Sequence, residues 1–237
     1  MYAKQRTLGD ADNIIRVYGV HRIERDGFLE GLILMELADR TLFDLLVASQ
    51  NSPFTEDKII QLLIPICKGL KHMHERGVTH RDIKVENVLM TNRDTVPKLC
   101  DFGSASKEII ELAKVSKSQL YTYEDTFERN TTLMYRPPEM IDLYLGYRVD
   151  QKVDIWMLGC VVYTMNFYVH PFQEVGKLAI VNANFKFPET ERISEKMKDF
   201  IRHLLTPDPS LRPNIDEVLM ILQNWRTSSV ELNVIAC

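Results

Sequence analysis

No stretch of the 237-residue chain approaches the roughly eighteen consecutive apolar residues of a bilayer-spanning helix. The opening residues, MYAKQRTLGD, also lack the apolar core of a secretory signal. Cysteine is scarce: Cys67, Cys100, Cys160 and Cys237 lie far apart and form no C-x-x-C pair. That argues against a disulfide scaffold or a zinc site and fits free thiols in a reducing compartment. His72, His74 and His203 are too scattered to make a metal site. Excess charge is missing as well. With 29 basic against 33 acidic residues the formal charge is -4, which gives no general pull toward nucleic acid or acidic membranes. Internal repeats and Gly-, Ser- or Pro-rich linkers are absent, so nothing splits the chain. A soluble intracellular protein is the default expectation.

Two β-rich runs open the chain, residues 14–21 and 28–37, with charged turn material between them. The period then changes. Ile59, Leu63, Ile66, Leu70 and Met73 recur at intervals of four and three, which predicts an amphipathic helix with Thr55 as N-cap and Gly77 as stop. Pro65 should bend that helix or sit near one of its ends. Short apolar runs at 88–90 and 96–100 bracket TNRDT and read as a hairpin. Residues 103–130 show no firm period and read as a long surface segment, with the acidic EDTFE as solvated loop. From Asp150 the chain is helical again and apolar on nearly every side, as in a helix through the middle of a domain. Met197, Ile201 and Leu204 mark one further helix face. Pro213 is expected as the first residue of a last helix carrying Ile215, Val218, Leu219 and Leu222.

Against this frame stand HRDIKVEN at 80–87, CDFG at 100–103, YRPPEM at 135–140, DIWMLGC at 154–160 and LRP at 211–213. Their order and spacing resemble the eukaryotic protein kinases over nearly the whole chain. The resemblance implies an α+β, protein-kinase-like fold with a complete, mainly helical large lobe and only the last strands of the small β lobe. Residues 1–38 would be the small-lobe remnant, comprising the end of the regulatory helix, two strands and the hinge. Residues 39–230 would be the large lobe, with an activation segment at about 101–139. It also implies roles. Asp82 would be the catalytic base and Lys84 would reach the transferred phosphate, a lysine there being similar to serine/threonine kinases. Asn87 and Asp101 would hold Mg²⁺ beside ATP. Phosphoryl transfer spreads negative charge over three oxygens, and metal cations with a lysine offset it. Met35 falls at the gatekeeper position, Glu36, Leu37 and Ala38 form the hinge, and Leu89 lies under the adenine. Phe102 and Gly103 complete the metal loop. Arg81 resembles the arginine that grips an activation-segment phosphate. Glu139 and Arg212 match a buried ion pair, Asp154 the residue that holds the catalytic loop's backbone, and Thr132 the bridge between base and lysine. Cys100 reads as a small filler rather than a reactive thiol.

Val85-Glu86, Ser104-Ala105 and the run from Met140 to Tyr144 narrow the resemblance to the Numb-associated kinases. That group implies a protein substrate with a Ser or Thr acceptor, the clathrin adaptor medium chain being one candidate. It further implies cytoplasmic work at vesicle coats, room for indirect membrane association through adaptors, and an extra helix at residues 141–148, while the charge balance gives no expectation of a nucleic-acid partner. One part of the pattern is missing. No G-x-G-x-x-G lies upstream of Asn13, Lys4 has no strand around it, and Gln5 stands where an apolar spine residue is expected. The expectation is therefore an N-terminally truncated kinase. The alternative is a non-catalytic, kinase-like interaction module.

Overall fold

The computed structural model describes residues 8–25, 27–173 and 175–225. Lys4, Gln5, Cys237 and the end of the expected large lobe at 226–230 lie outside the described residues. Strands β1 (Val17–Arg25) and β2 (Phe28–Met35) form an antiparallel hairpin, Val20 facing Ile33 and Arg25 facing Phe28. β1 begins three residues later than its apolar run, because Ile14 and Ile15 instead join the large body: Ile14 bridges Leu99, and the Ile15 N–H donates to Leu99 O at 2.9 Å.

A two-residue strand, β3 (Arg40–Thr41), pairs with β4 (Val88–Thr91), which pairs with β5 (Val96–Leu99). The turn between β4 and β5 runs through Asn92, Arg93 and Asp94, all at positive φ, as the hairpin reading of TNRDT requires. Helix α1 (Leu42–Ala48), which has no counterpart in the sequence reading, starts at a capping box between Thr41 and Asp44.

Helix α2 (Glu56–His74) has the expected Thr55 cap, and Gly77 lies just past its end at φ 68°. Pro65 sits at mid-helix rather than at an end. Gly69 lets this helix approach the chain closely, since a Cβ there would lie 2.7 Å from Asn13 O.

Helix α5 (Lys152–Phe167) is the axis of the domain. Thirteen of its residues are buried, including Trp156, Met157 and Leu158 with no exposure. A helix apolar all round has to be surrounded, and α7 (Glu195–Leu204) packs against it so closely that a Cβ on Gly159 would meet Leu205 at 2.8 Å. A short helix, α6 (Lys177–Val181), lies between them in the chain. Helix α8 (Ile215–Gln223) closes the described part and packs on α2. The expected start at Pro213 is corrected: Asn214 is the cap, in a capping box with Glu217, and Pro213 precedes it.

Two expectations for the middle of the chain are overturned. Residues 103–130 are not a loop throughout. After β6 (Ile110–Glu111) they contain the fourteen-residue helix α3 (Lys117–Asn130), so EDTFE is helical and Phe127 is buried. Ser116 and Gln119 form a capping box that starts it. In contrast, the extra helix expected at 141–148 is absent, since residues 142–148 hold no α-helix. The four-residue α4 (Pro138–Ile141) ends just before them, and a 3₁₀ turn (Leu143–Leu145) leads into β7 (Arg148–Val149), which pairs with β6. Asp142 caps that turn and Gly146 leaves it at φ 70°, too tight a reversal for a helix to continue.

Candidate active site

Residues 80–87 connect α2 to β4, and they are held from below by one carboxylate. Asp154, in the first turn of α5, has no exposure. It accepts from the His80 N–H and the Arg81 N–H, both at 2.8 Å, and contacts His74 Nε2 at 2.8 Å. Burial alone would raise its pKa; the hydrogen bond from His74 and the backbone donors outweigh this and hold it below the usual carboxylate value. These bonds fix Arg81 at φ 66°, in a region that disfavours side chains. His80 continues the support: Nε2 bonds Cys100 O at 2.9 Å and Nδ1 accepts from the Asp82 N–H at 3.3 Å.

Asp82 is therefore aimed before any ligand arrives. Its Oδ1 accepts from the Thr132 N–H at 3.1 Å and from the Thr132 hydroxyl at 3.0 Å. Its Oδ2 accepts from Asn87 Nδ2 at 2.9 Å and lies 3.2 Å from Lys84 Nζ. Lys84 Nζ also donates to Thr132 Oγ1 at 2.9 Å. Asp82, Lys84, Asn87 and Thr132 thus close a ring around one carboxylate, although Thr132 stands fifty positions from Asp82.

Asn87 Nδ2 donates to Asp82 twice, through the backbone O at 2.8 Å as well as through Oδ2. Because the amide is planar, its carbonyl oxygen points away from Asp82. Asp101 is exposed at φ 56°, its Oδ1 accepting from the Gly103 N–H at 3.2 Å. One amide oxygen and one carboxylate are hard donors too few for an all-protein cage, and no cluster of three or more His, Cys, Asp or Glu ligands occurs among the described residues. That set suits Mg²⁺, which keeps waters and phosphate oxygens in its shell. Phe102 is buried against His80, their ring centroids 5.4 Å apart, which seats the loop that carries Asp101. Cys100 is partly buried and donates to Asn87 O. Burial and then the Asp101 charge push its thiol up to about 12, so it is inert at neutral pH.

At the hinge, the Glu36 N–H is taken by Arg16 O and the Asp39 N–H by Met90 O, both at 2.8 Å. The stretch between them, Leu37 and Ala38, is the part free to present peptide groups to a base. Glu36 itself pairs with Lys98 Nζ at 2.7 and 2.9 Å, fastening the hinge to β5. Met35 is exposed, and Leu89 lies partly buried in β4.

The far end of the segment is anchored by Glu139 and Arg212, paired through two bonds of 2.8 Å with neither side chain exposed. Arg212 also donates to Thr206 O, Lys152 O and Pro207 O, so all five of its N–H groups are used. The Arg81 side chain does not face solvent. It donates to Glu108 O at 2.7 Å and lies 6.0 Å from the Phe127 ring of α3, while its buried Nε has no partner.

Sequence reasoning missed four members of this arrangement. His74 reads as a stray histidine, since its partner is eighty residues away. Lys98 gives no local signal either. Ser104, whose hydroxyl bonds Asn130 O, and Arg136 both depend on α3. The S-x-x-Q box at 116–119 was the one mark that could have found that helix.

The fold and this ring of side chains define a phosphoryl-transfer domain class. The protein kinase domain family matches residues 4–222, and the chain belongs to it. Several relatives are named serine/threonine-protein kinases. A probable one from Dictyostelium discoideum is 38% identical over 220 residues, 90% of this chain and 19% of its own length. Actin-regulating kinase 1 of Saccharomyces cerevisiae is 38% identical over 205 residues, 84% of this chain and 32% of its own. Serine/threonine-protein kinase sel-5 of Caenorhabditis elegans is 37% identical over 195 residues, 80% of this chain and 18% of its own. The chain thus spans a third or less of the length of each of these relatives.

Proposed function

We propose that this domain transfers the γ-phosphate of Mg-ATP to Ser or Thr side chains of proteins, with Asp82 as the group that receives the acceptor hydroxyl. The observation that carries the reading is the closed ring of Asp82, Lys84, Asn87 and Thr132. Bound Mg²⁺ supplies charge neutralisation at the phosphates. The chain's own residues do the rest. Thr132 and Asn87 keep the Asp82 carboxylate oriented toward an incoming hydroxyl. Lys84, with three donors, bonds Asp82 and Thr132 and retains capacity for a phosphate oxygen. Asn87 Oδ1 and Asp101 are the oxygen donors for the metal, and Leu37, Ala38 and Leu89 would hold the nucleotide base.

The motif marks at 85–86, 104–105 and 140–144 support assignment to the Numb-associated group. On that reading the first substrates to try are clathrin adaptor medium-chain peptides, and the place of work is the cytoplasm at vesicle coats. Two yeast relatives carry actin regulation in their names, which makes actin-regulatory proteins a second substrate set. The test is phosphoamino-acid analysis of both sets after incubation with the full-length protein. Phosphothreonine or phosphoserine is expected, and a mainly phosphotyrosine product would overturn the assignment.

A further inference from the structure

The geometry points to Arg136 as a positioning residue: it fastens the C-terminal end of helix α3 and thereby sets Thr132 against Asp82 and Lys84. The inference deepens the kinase reading and rests on it for its catalytic half. An α-helix leaves its last four carbonyls without intrahelical partners, and a cation near that end is favoured by the helix dipole. In α3 three of those four carbonyls, those of Phe127, Glu128 and Asn130, have partners. Phe127 O accepts from the Thr131 N–H and hydroxyl, at 3.1 and 2.6 Å. Glu128 O accepts from Arg136 at 3.2 Å, and Asn130 O accepts from the Ser104 hydroxyl.

Arg136 does more than cap. Its Nε donates to Thr131 Oγ1 at 2.7 Å and its Nη2 to Thr131 O at 2.8 Å, so the two acceptor oxygens of residue 131 are gripped by one planar guanidinium. The backbone closes the same circle, because the Arg136 N–H donates to Leu133 O at 3.1 Å. The next residue along from Thr131 is Thr132, whose N–H and hydroxyl hold Asp82 Oδ1. Only 5% of Arg136 is exposed, so a substitute cannot recruit water to replace these bonds. Its side-chain hydrogen bonds go to Glu128 and Thr131 and none to Asp82 or Lys84; beyond the charge it places near Asp82, it acts through residues 131 and 132.

A lysine at 136 keeps the charge but cannot span three acceptors from one plane. Arg136→Lys and Thr131→Val, singly and together, would be compared with the parent in the full-length protein. Three quantities would be measured: kcat per nucleotide-binding site, KM for ATP, and amide hydrogen exchange at Thr132. Displacing a reacting group by about 1 Å costs on the order of a hundredfold in rate. Arg136→Lys is therefore expected to lower kcat by about tenfold or more, with KM for ATP little changed and Thr132 exchange accelerated while α5 stays protected. The double variant should be scarcely worse than Arg136→Lys alone, since both break one linkage. If the number of nucleotide sites falls while kcat per site holds, Arg136 is merely structural and the proposal fails. It fails equally if kcat and Thr132 protection both match the parent. A parent that transfers no phosphate would refute the kinase reading. The exchange at Thr132 would still decide whether Arg136 sets its position, unchanged protection overturning the claim.

Discussion

Asp154 shows what a single buried carboxylate contributes to this site. Its folded pKa lies below the ordinary value of 3.8, so its stabilisation is fully present above that value and is lost as pH falls through the lowered one. Asp154→Asn should therefore lower stability at neutral pH and flatten the acid side of the stability curve below about pH 4. Calorimetric melting of parent and variant from pH 2 to 7 checks this, and two parallel curves would contradict it. Thr132 offers a second residue-scale test. Thr132→Val removes the hydroxyl that bridges Asp82 and Lys84, whereas Thr132→Ser keeps it. The valine variant should lose about tenfold or more in kcat, since Asp82 and Lys84 each lose one of the bonds that orient them, and the serine variant should retain most of it. Equal losses in the two would refute the role of the hydroxyl. Asp82, Lys84, Asn87 and Asp101 were legible because they sit in short motifs. His74 and Lys98 were not, because their partners are brought to them only by the fold.

At the scale of elements, the long helices α2 and α5 were readable from their apolar patterns, one a stripe and the other continuous. Helix α3 was not. Only Leu120 and Phe127 of its fourteen residues are buried, so the periodic signal is too thin to see among Thr, Glu and Asp. Its ends are instead tied down by polar bonds, the box at Ser116 and the capped carbonyls of Phe127, Glu128 and Asn130. The reverse error fell at 141–148, where the family resemblance implied a helix and the Asp142 cap with Gly146 makes a 3₁₀ turn instead. Helix α4, which leads into that turn, is tied to the body through Glu139 and Arg212. Glu139→Ala would strand a buried guanidinium, and breaking such a pair costs about 3–5 kcal/mol. Urea unfolding should register a loss in that range; a change below about 1 kcal/mol would mean that the pair is dispensable.

For the molecule as a whole, the core runs through α2, α5 and α7, while β2 exposes apolar residues on both faces, Phe28, Leu32 and Leu34 on one and Leu29 and Ile33 on the other. Phe28 is 75% exposed, Leu34 67% and Leu32 50%. A two-stranded hairpin with an uncovered face is a site for association between chains. The 237 residues produced by themselves should therefore self-associate, as read by light scattering, and Leu32→Lys with Leu34→Lys should suppress it. A scattering mass equal to that of the monomer for the unaltered chain would contradict this. The central claim is that the ring around Asp82 exists to transfer phosphate. Its most direct test is the turnover of the full-length protein with and without Asp82→Asn on a Ser/Thr substrate, melting temperature being measured alongside. The expected result is a kcat lower by orders of magnitude at a nearly unchanged melting temperature, because the interaction lost belongs to the transition state. A variant kcat within about threefold of the parent would contradict the account.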